Sequence, residues 1–222
     1  MALSYNHRLA LTAPALMATL HVDPTFAAVL PDPQSRVIAA SHDSIYIVDQ
    51  ALTIRAYNEG YARFGAANGC PQVAKDYGIG RNLISVLPPA AADIYVPAYM
   101  SALENGARCD HDYECSSSRV LRRFHQTVYP LHDGHGLIIA NHLVYEMPHA
   151  SRGTGTSPRH FDAEGWITQC ACCRKIRDGA HPEKWDWVPG LVDAPHPRTT
   201  HSYCLNYLNF YYGDLLRTPV AS

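Results

Sequence analysis

Three cysteines crowd into four residues at Cys170, Cys172 and Cys173, and His201 and Cys204 follow further on at H-x2-C spacing. Thiols this close along the chain suit a conventional disulfide framework poorly, because a disulfide needs two Cβ vectors that meet at a set distance. The total of 7 cysteines is also odd. Two close pairs of soft or borderline ligands, Cys170 with Cys173 and His201 with Cys204, are instead what a tetrahedral zinc ion requires. Each pair is a bidentate clip, and the loop between them closes on the metal. Four protein ligands would make the site closed and structural, and a lost ligand would leave it open. Any fold of the tail must therefore bring 170–173 and 201–204 together. Free thiols used in this way imply a reducing compartment, and a cytoplasmic location is the expectation.

The chain of 222 residues can form one large domain or two small ones. With 47% hydrophobic and 17% charged residues, wholesale disorder is excluded. Lys plus Arg total 18 against 20 Asp plus Glu, a net charge of -2 that supplies no field for a polyanion, so no nucleic-acid partner is expected. The cluster Arg174, Lys175 and Arg177 has acidic neighbours and is expected to be solvated. The apolar run Leu9 to Leu20 is preceded only by Arg8, interrupted by Pro14 and too short to cross a bilayer, so no membrane partner is expected.

Hydrophobic patterning divides the rest. Leu9, Leu11, Leu16, Met17 and Leu20 suggest a short helix before Pro31 and Pro33, an arm that could pack or dimerise. Ile45 to Asp49 and Thr53 to Tyr57 form a strand pair about the turn at Ala51 and Leu52. Asn58 then caps a helix through Tyr61, Phe64 and Ala67 that Gly69 ends. A short helix follows from Asn82 to Leu87, and a longer one from Pro89 to Asn105 stops at Gly106. Three strands come next, Arg108 to Ser116, Val120 to Leu131 and Gly136 to Tyr145, with Asp133 and Gly134 as a turn. The stretch Met147 to His160 is rich in Pro, Gly, Ser and Thr and reads as a linker. Tyr203, Tyr207, Phe210, Tyr211 and Tyr212 approximate a helical stripe suited to a small core or interface. Gly78-Ile79-Gly80 lacks the third glycine of a dinucleotide fingerprint, and no Walker phosphate loop or Gly-x-Ser-x-Gly elbow occurs.

This order, with Asp43-Ser44-Ile45-Tyr46-Ile47-Val48-Asp49, Ile54-Arg55-Ala56-Tyr57-Asn58, Gly80-Arg81-Asn82-Leu83, Leu87-Pro88, Ala102-Leu103-Glu104-Asn105-Gly106 and Val128-Tyr129-Pro130-Leu131, resembles a PAS sensory domain over residues 41–146. The resemblance implies a five-stranded antiparallel sheet with helices on one face, enclosing a pocket that in various PAS domains holds haem, flavin, a small metabolite or nothing. Flavin-binding light sensors carry a reactive cysteine where Leu83 stands, so a photoactive flavin adduct is not expected. Haem-binding relatives commonly offer a histidine from the long helix, and residues 89–105 contain none. Haem remains a candidate through the strands. Period-two alternation puts Cys109, His111, Tyr113 and Cys115 on one face of their strand and Asp110, Asp112 and Glu114 on the other. Pocket-facing His111 or Cys109 could then ligate iron, and His125 and His142 are further pocket candidates.

The tail wording Cys170-Ala171-Cys172-Cys173-Arg174-Lys175-Ile176-Arg177-Asp178, then Trp185, then His201-Ser202-Tyr203-Cys204, resembles a small Cys-rich module that follows PAS domains in some bacterial signalling proteins. The last cysteine of that pattern falls on Tyr207, which leaves three alternatives: His201 completes the site, Cys172 takes part, or the metal has been lost. The expected class is α+β, with an N-terminal helical arm over 1–40, the PAS-like domain over 41–146, a linker over 147–161 and a zinc-stabilised Cys-rich module over 162–222. The expected function is signalling, with a small-molecule ligand or cofactor in the pocket, relayed through a homodimer or a protein signalling partner. A haem-based gas or redox sensor and a metal-dependent enzyme with an open His/Cys site are the alternatives.

Overall fold

The computed structural model describes residues 18–149 and 153–211. The chain is mixed α+β. Its first part runs β1 (Leu20–Val22), α1 (Asp32–Ala40), β2 (Ser44–Asp49), β3 (Ile54–Asn58), α2 (Glu59–Ala67), α3 (Val73–Asp76), α4 (Pro89–Asn105), β4 (Cys109–Glu114), β5 (Val120–Pro130) and β6 (Gly136–Pro148). These strands form one six-stranded antiparallel sheet in the order β1-β3-β2-β6-β5-β4. The second part runs β7 (Ile167–Cys170), β8 (Ile176–Arg177), β9 (Trp185–Asp186), α5 (Pro189–Asp193), β10 (Thr199–Ser202) and α6 (Leu205–Tyr211). It makes a small sheet in the order β10-β7-β8-β9, with β10 parallel to β7.

Local chemistry accounts for the main elements. The β2–β3 turn is set by Asp49, whose carboxylate accepts the N–H groups of Ala51 and Thr53, with Leu52 in the left-handed region at φ 58°. Asn58 caps α2 by accepting the Tyr61 N–H at 3.0 Å. In α4, Ala91, Tyr95, Tyr99 and Ala102 recur at helical spacing and are the residues it buries. That helix ends where Gly106 turns left-handed at φ 62°.

Two layers pack on the sheet. On the front, Val48, Ile54, Val128, Leu137 and Ile139 meet Leu83 and the buried stripe of α4. On the back, Ile45, Ile47, Ala56 and Ile138 meet Ile38 of α1 together with Phe26 and Leu30. The expected sheet of five strands with helices on one face is therefore corrected twice. Leu20–Val22 adds a sixth strand on β3, and α1 covers part of the back. A three-residue strand is too short to show an alternating pattern, and the alternate apolar residues of β2 demand cover on both faces. The helix expected over Leu9 to Leu20 already gives way to β1 at Leu20, and its remainder, with the dimerising arm, falls largely on residues 1–17, outside the described residues.

The second part docks on the first. The Tyr207 hydroxyl accepts the Glu114 N–H at 2.9 Å, the His149 and Trp187 rings stack at 4.1 Å, and the Ser118 hydroxyl donates to Asp193. The expected linker carries structure at both ends: β6 extends to Pro148, and His160 is buried against Asp186.

Asn58 is fully buried, and its amide serves five backbone groups. Oδ1 accepts from the N–H of Ile45 and Tyr61, while Nδ2 donates to the carbonyls of Ile38, Ser41 and Asp43. Asn58→Ala is expected to lower stability by about 3 kcal/mol or more, because buried partners lose their bonds. Asn58→Asp keeps the cap but loses the donor and should fall between. In urea titrations the exposed Asn68→Ala, whose side chain donates to Phe64 O of its own helix, should lower stability by about 0.5 kcal/mol at most.

Candidate functional site

The tail cysteines meet through two turns. β7 ends at Cys170, and the chain reverses into β8 through Arg174, held left-handed at φ 63°. The Arg174 N–H donates to Cys170 O at 3.2 Å and the Cys170 N–H to Lys175 O at 2.8 Å, which folds Cys173 back under Cys170. Because β10 lies parallel to β7, Ser202 sits opposite Cys170 and Cys204 arrives beside the turn. The Sγ atoms of Cys170, Cys173 and Cys204 all lie within 4.8 Å of one another and all three residues are buried; Cys173 and Cys204 are 3.7 Å apart.

The electrostatics favour charge on one sulfur of this cluster. Hydrogen bonds from the Cys173 and Cys204 thiols and from the N–H groups of Cys204 and Cys172 hold Cys170 well below the usual thiol range. The same sharing pushes Cys173 and Cys204 up, although the Tyr207 N–H supports the Cys204 sulfur. Backbone donors aimed at sulfur are what a bound thiolate needs. Three buried sulfurs at this separation fit a soft or borderline cation, and the cluster could hold a metal ion.

His201 and Cys172 stand apart from the three sulfurs. In the parallel register His201 pairs with Gln169 while Ser202 pairs with Cys170, and strand alternation turns His201 to the other face. Cys172 is buried in the same apolar cluster without joining the group. Among the described residues no other His, Cys, Asp or Glu atom belongs to it. Tyr207, where the resemblance expects a cysteine, is buried on α6 and spends its hydroxyl on the backbone of β4.

A second candidate site is a cavity of about 470 Å³ between the front of the sheet and α2, α3 and α4. Six tyrosines and two phenylalanines contribute to its wall, among them Tyr46, Tyr99, Tyr113 and Phe124, and among the described residues no Asp, Glu, Lys, Arg or His lines it. Much of its polar part is one network, apart from the Tyr61 hydroxyl, which donates to Tyr77 O at 2.8 Å. The Tyr99 hydroxyl donates to Gln126 Oε1 at 2.7 Å, Gln126 Nε2 to Asn141 Oδ1 at 2.8 Å, the Tyr113 hydroxyl to the same oxygen at 2.9 Å, and Asn141 Nδ2 to Ser44 O at 3.2 Å. Burial holds the Tyr99 and Tyr113 phenols well above their usual range and pushes Tyr61 up to about 12. The wall is therefore uncharged at neutral pH.

The sequence candidates for this pocket lie around it. Cys109 packs against the front core, and His111 lies between Tyr95 and Tyr113, with ring centroids 5.0 and 6.1 Å away. His125 and His142 are cross-strand neighbours on the back of the sheet, where His125 meets Asp112 at 2.8 Å and His142 meets Asp43 at 2.9 Å. None of the four lines the cavity. The polar cavity residues that histidine counting overlooked are Gln126 and Asn141. Each lies two residues from a core position, Val128 and Ile139, so period two alone would have placed an amide inside.

His111 carries a testable consequence. Burial pushes its imidazole down to about 4, with repulsion from His125 adding to the effect and Asp112 and Asp110 opposing it. The unfolded value is about 6.5, so the fold prefers the neutral ring, and its contribution is complete above that pH. Stability should fall as pH drops from about 6.5 to about 4, by roughly 3 kcal/mol from this group. Urea midpoints compared at pH 7.5 and 4.5 should show this loss, and His111→Phe should flatten it.

No protein-family model matches this chain and no curated protein matches it, so function has to be inferred from the residues and their geometry.

Proposed function

We propose that this chain is a PAS-type signalling protein that takes a small molecule in its aromatic cavity and carries a structural zinc ion in its tail. The observation that supports this reading is the cavity itself, walled by aromatic side chains between α2, α3, α4 and the front of an antiparallel sheet. Its polar network, contributed by α4 and four strands, is buried within an otherwise apolar wall, the combination typical of a small-molecule site. The signal would travel through association with a partner or a second copy.

Cys170, Cys173 and Cys204 would hold the zinc ion as thiolates. Bound there, zinc would cross-link the β7–β8 turn to the start of α6, joining segments that the small sheet holds by a few short strands. The purified chain is expected to contain about one zinc per molecule by elemental analysis. Cys170→Ser and Cys204→Ser should lose that metal and loosen the tail, whereas His201→Ala should keep it. Metal content unchanged in both serine variants would overturn the zinc assignment.

The count of three sulfurs also favours a second reading, a metal centre with an open position that supports catalysis. Cobalt substitution separates the two. A closed site keeps its visible spectrum when imidazole is added, while an open one shifts.

A further inference from the structure

We infer that the cavity selects an uncharged molecule of two or three fused aromatic rings that bears a hydroxyl or ring N–H group. This rests on the proposal above that the cavity is a ligand site, and goes on to name what enters it.

Size sets the ring count. A cavity of about 150 Å³ admits one benzene ring, and this one measures about 470 Å³. Its wall presents ring faces from several directions: Tyr95 and Tyr99 lie stacked at 5.9 Å, Tyr113 and Phe124 at 5.4 Å, and Phe64 meets Phe124 edge-on at 5.3 Å. Flat faces of this kind reward a planar guest over a saturated one of equal area.

Charge is excluded by the same wall. Among the described residues no lining side chain is an acid or a base charged at neutral pH, so a carboxylate or ammonium would enter without a counter-ion from them. The buried phenols reinforce this, because a desolvated hydroxyl holds its proton and cannot balance a cation.

The network then fixes the functional group. Tyr99 and Tyr113 commit their hydroxyl hydrogens to Gln126 and Asn141, and Asn141 Oδ1 already accepts two donors. Tyr46 also hydrogen-bonds with Tyr99 and Asn141, and the lone pairs that remain on the Tyr99 and Tyr113 oxygens call for a donor from the guest. A guest lacking one would cover these oxygens without replacing the water they lose.

A matched set of probes tests this on the full chain with its metal, by calorimetric titration at pH 7: 2-naphthol, naphthalene, 2-naphthoate and decahydro-2-naphthol. 2-Naphthol is expected to bind at least about tenfold more tightly than each of the others, the weight of roughly one matched hydrogen bond. The double variant Tyr99→Phe, Tyr113→Phe keeps both rings and should cost 2-naphthol about tenfold while leaving naphthalene unchanged. Should the variant melt early, the wild-type probe series decides alone. Equal binding of naphthalene, or tighter binding of the naphthoate or the saturated alcohol, would overturn the ligand class while leaving the cavity a binding site. Silence from all four probes, with native melting and zinc content intact, would overturn both the class and the view of the cavity as a ligand site.

Discussion

Everything in the sheet domain depends on one buried amide. The side chain of Asn58 fixes the end of α1, the loop that follows it, the start of β2 and the first turn of α2. An amide does this because it is both donor and acceptor without charge, so it can be buried completely once every lone pair and hydrogen is used. Gly60 beside it cannot be larger, since an added Cβ would lie 2.0 Å from the Asp43 carbonyl oxygen. The close approach of α2 to β2 that this permits forms one end of the cavity, and Ser44, Tyr61 and Phe64 of these elements stand in its wall.

The two candidate sites share structural elements. On α4, Ile94 packs against the cysteine cluster while the next residue, Tyr95, lines the cavity. On β4, Tyr113 faces the cavity and the next residue, Glu114, donates its N–H to Tyr207 in the cysteine module. Helical and strand geometry turn successive residues to different sides, so one helix and one strand serve both walls. The module is thus built into the domain rather than hung from a linker, and its metal would sit behind the cavity wall.

Much of this was legible in advance because it follows from local rules. The strand pair about Asp49, the Asn58 cap, the limits of α4 at Pro89 and Gly106, and the three long strands after it rest on turn chemistry and on periods of two and 3.6 residues. The C-x2-C clip was legible for the same reason, since its spacing is local. The orientation of His125 and His142 was not, because a one-residue change of register sends a strand's side chains to the opposite face. Nor was the place of His201, where spacing matched a zinc ligand and strand parity turned the ring away.

The sequence alone determined the kinds of groups present: free thiols in close pairs, an uncharged aromatic-rich core, and an amide at the start of a helix. It also determined the order of elements, because propensity, capping and periodicity act over a few residues. Only the tertiary structure decided which of those groups meet. Leu20–Val22 became a strand because β3 offered an open edge. Gln126 and Asn141 became a hydrogen-bonded network because pairing of β5 with β6 set them side by side on the covered face. The cysteine cluster took three sulfurs because a parallel pairing of β10 with β7, distant in the chain, set which face each side chain could reach.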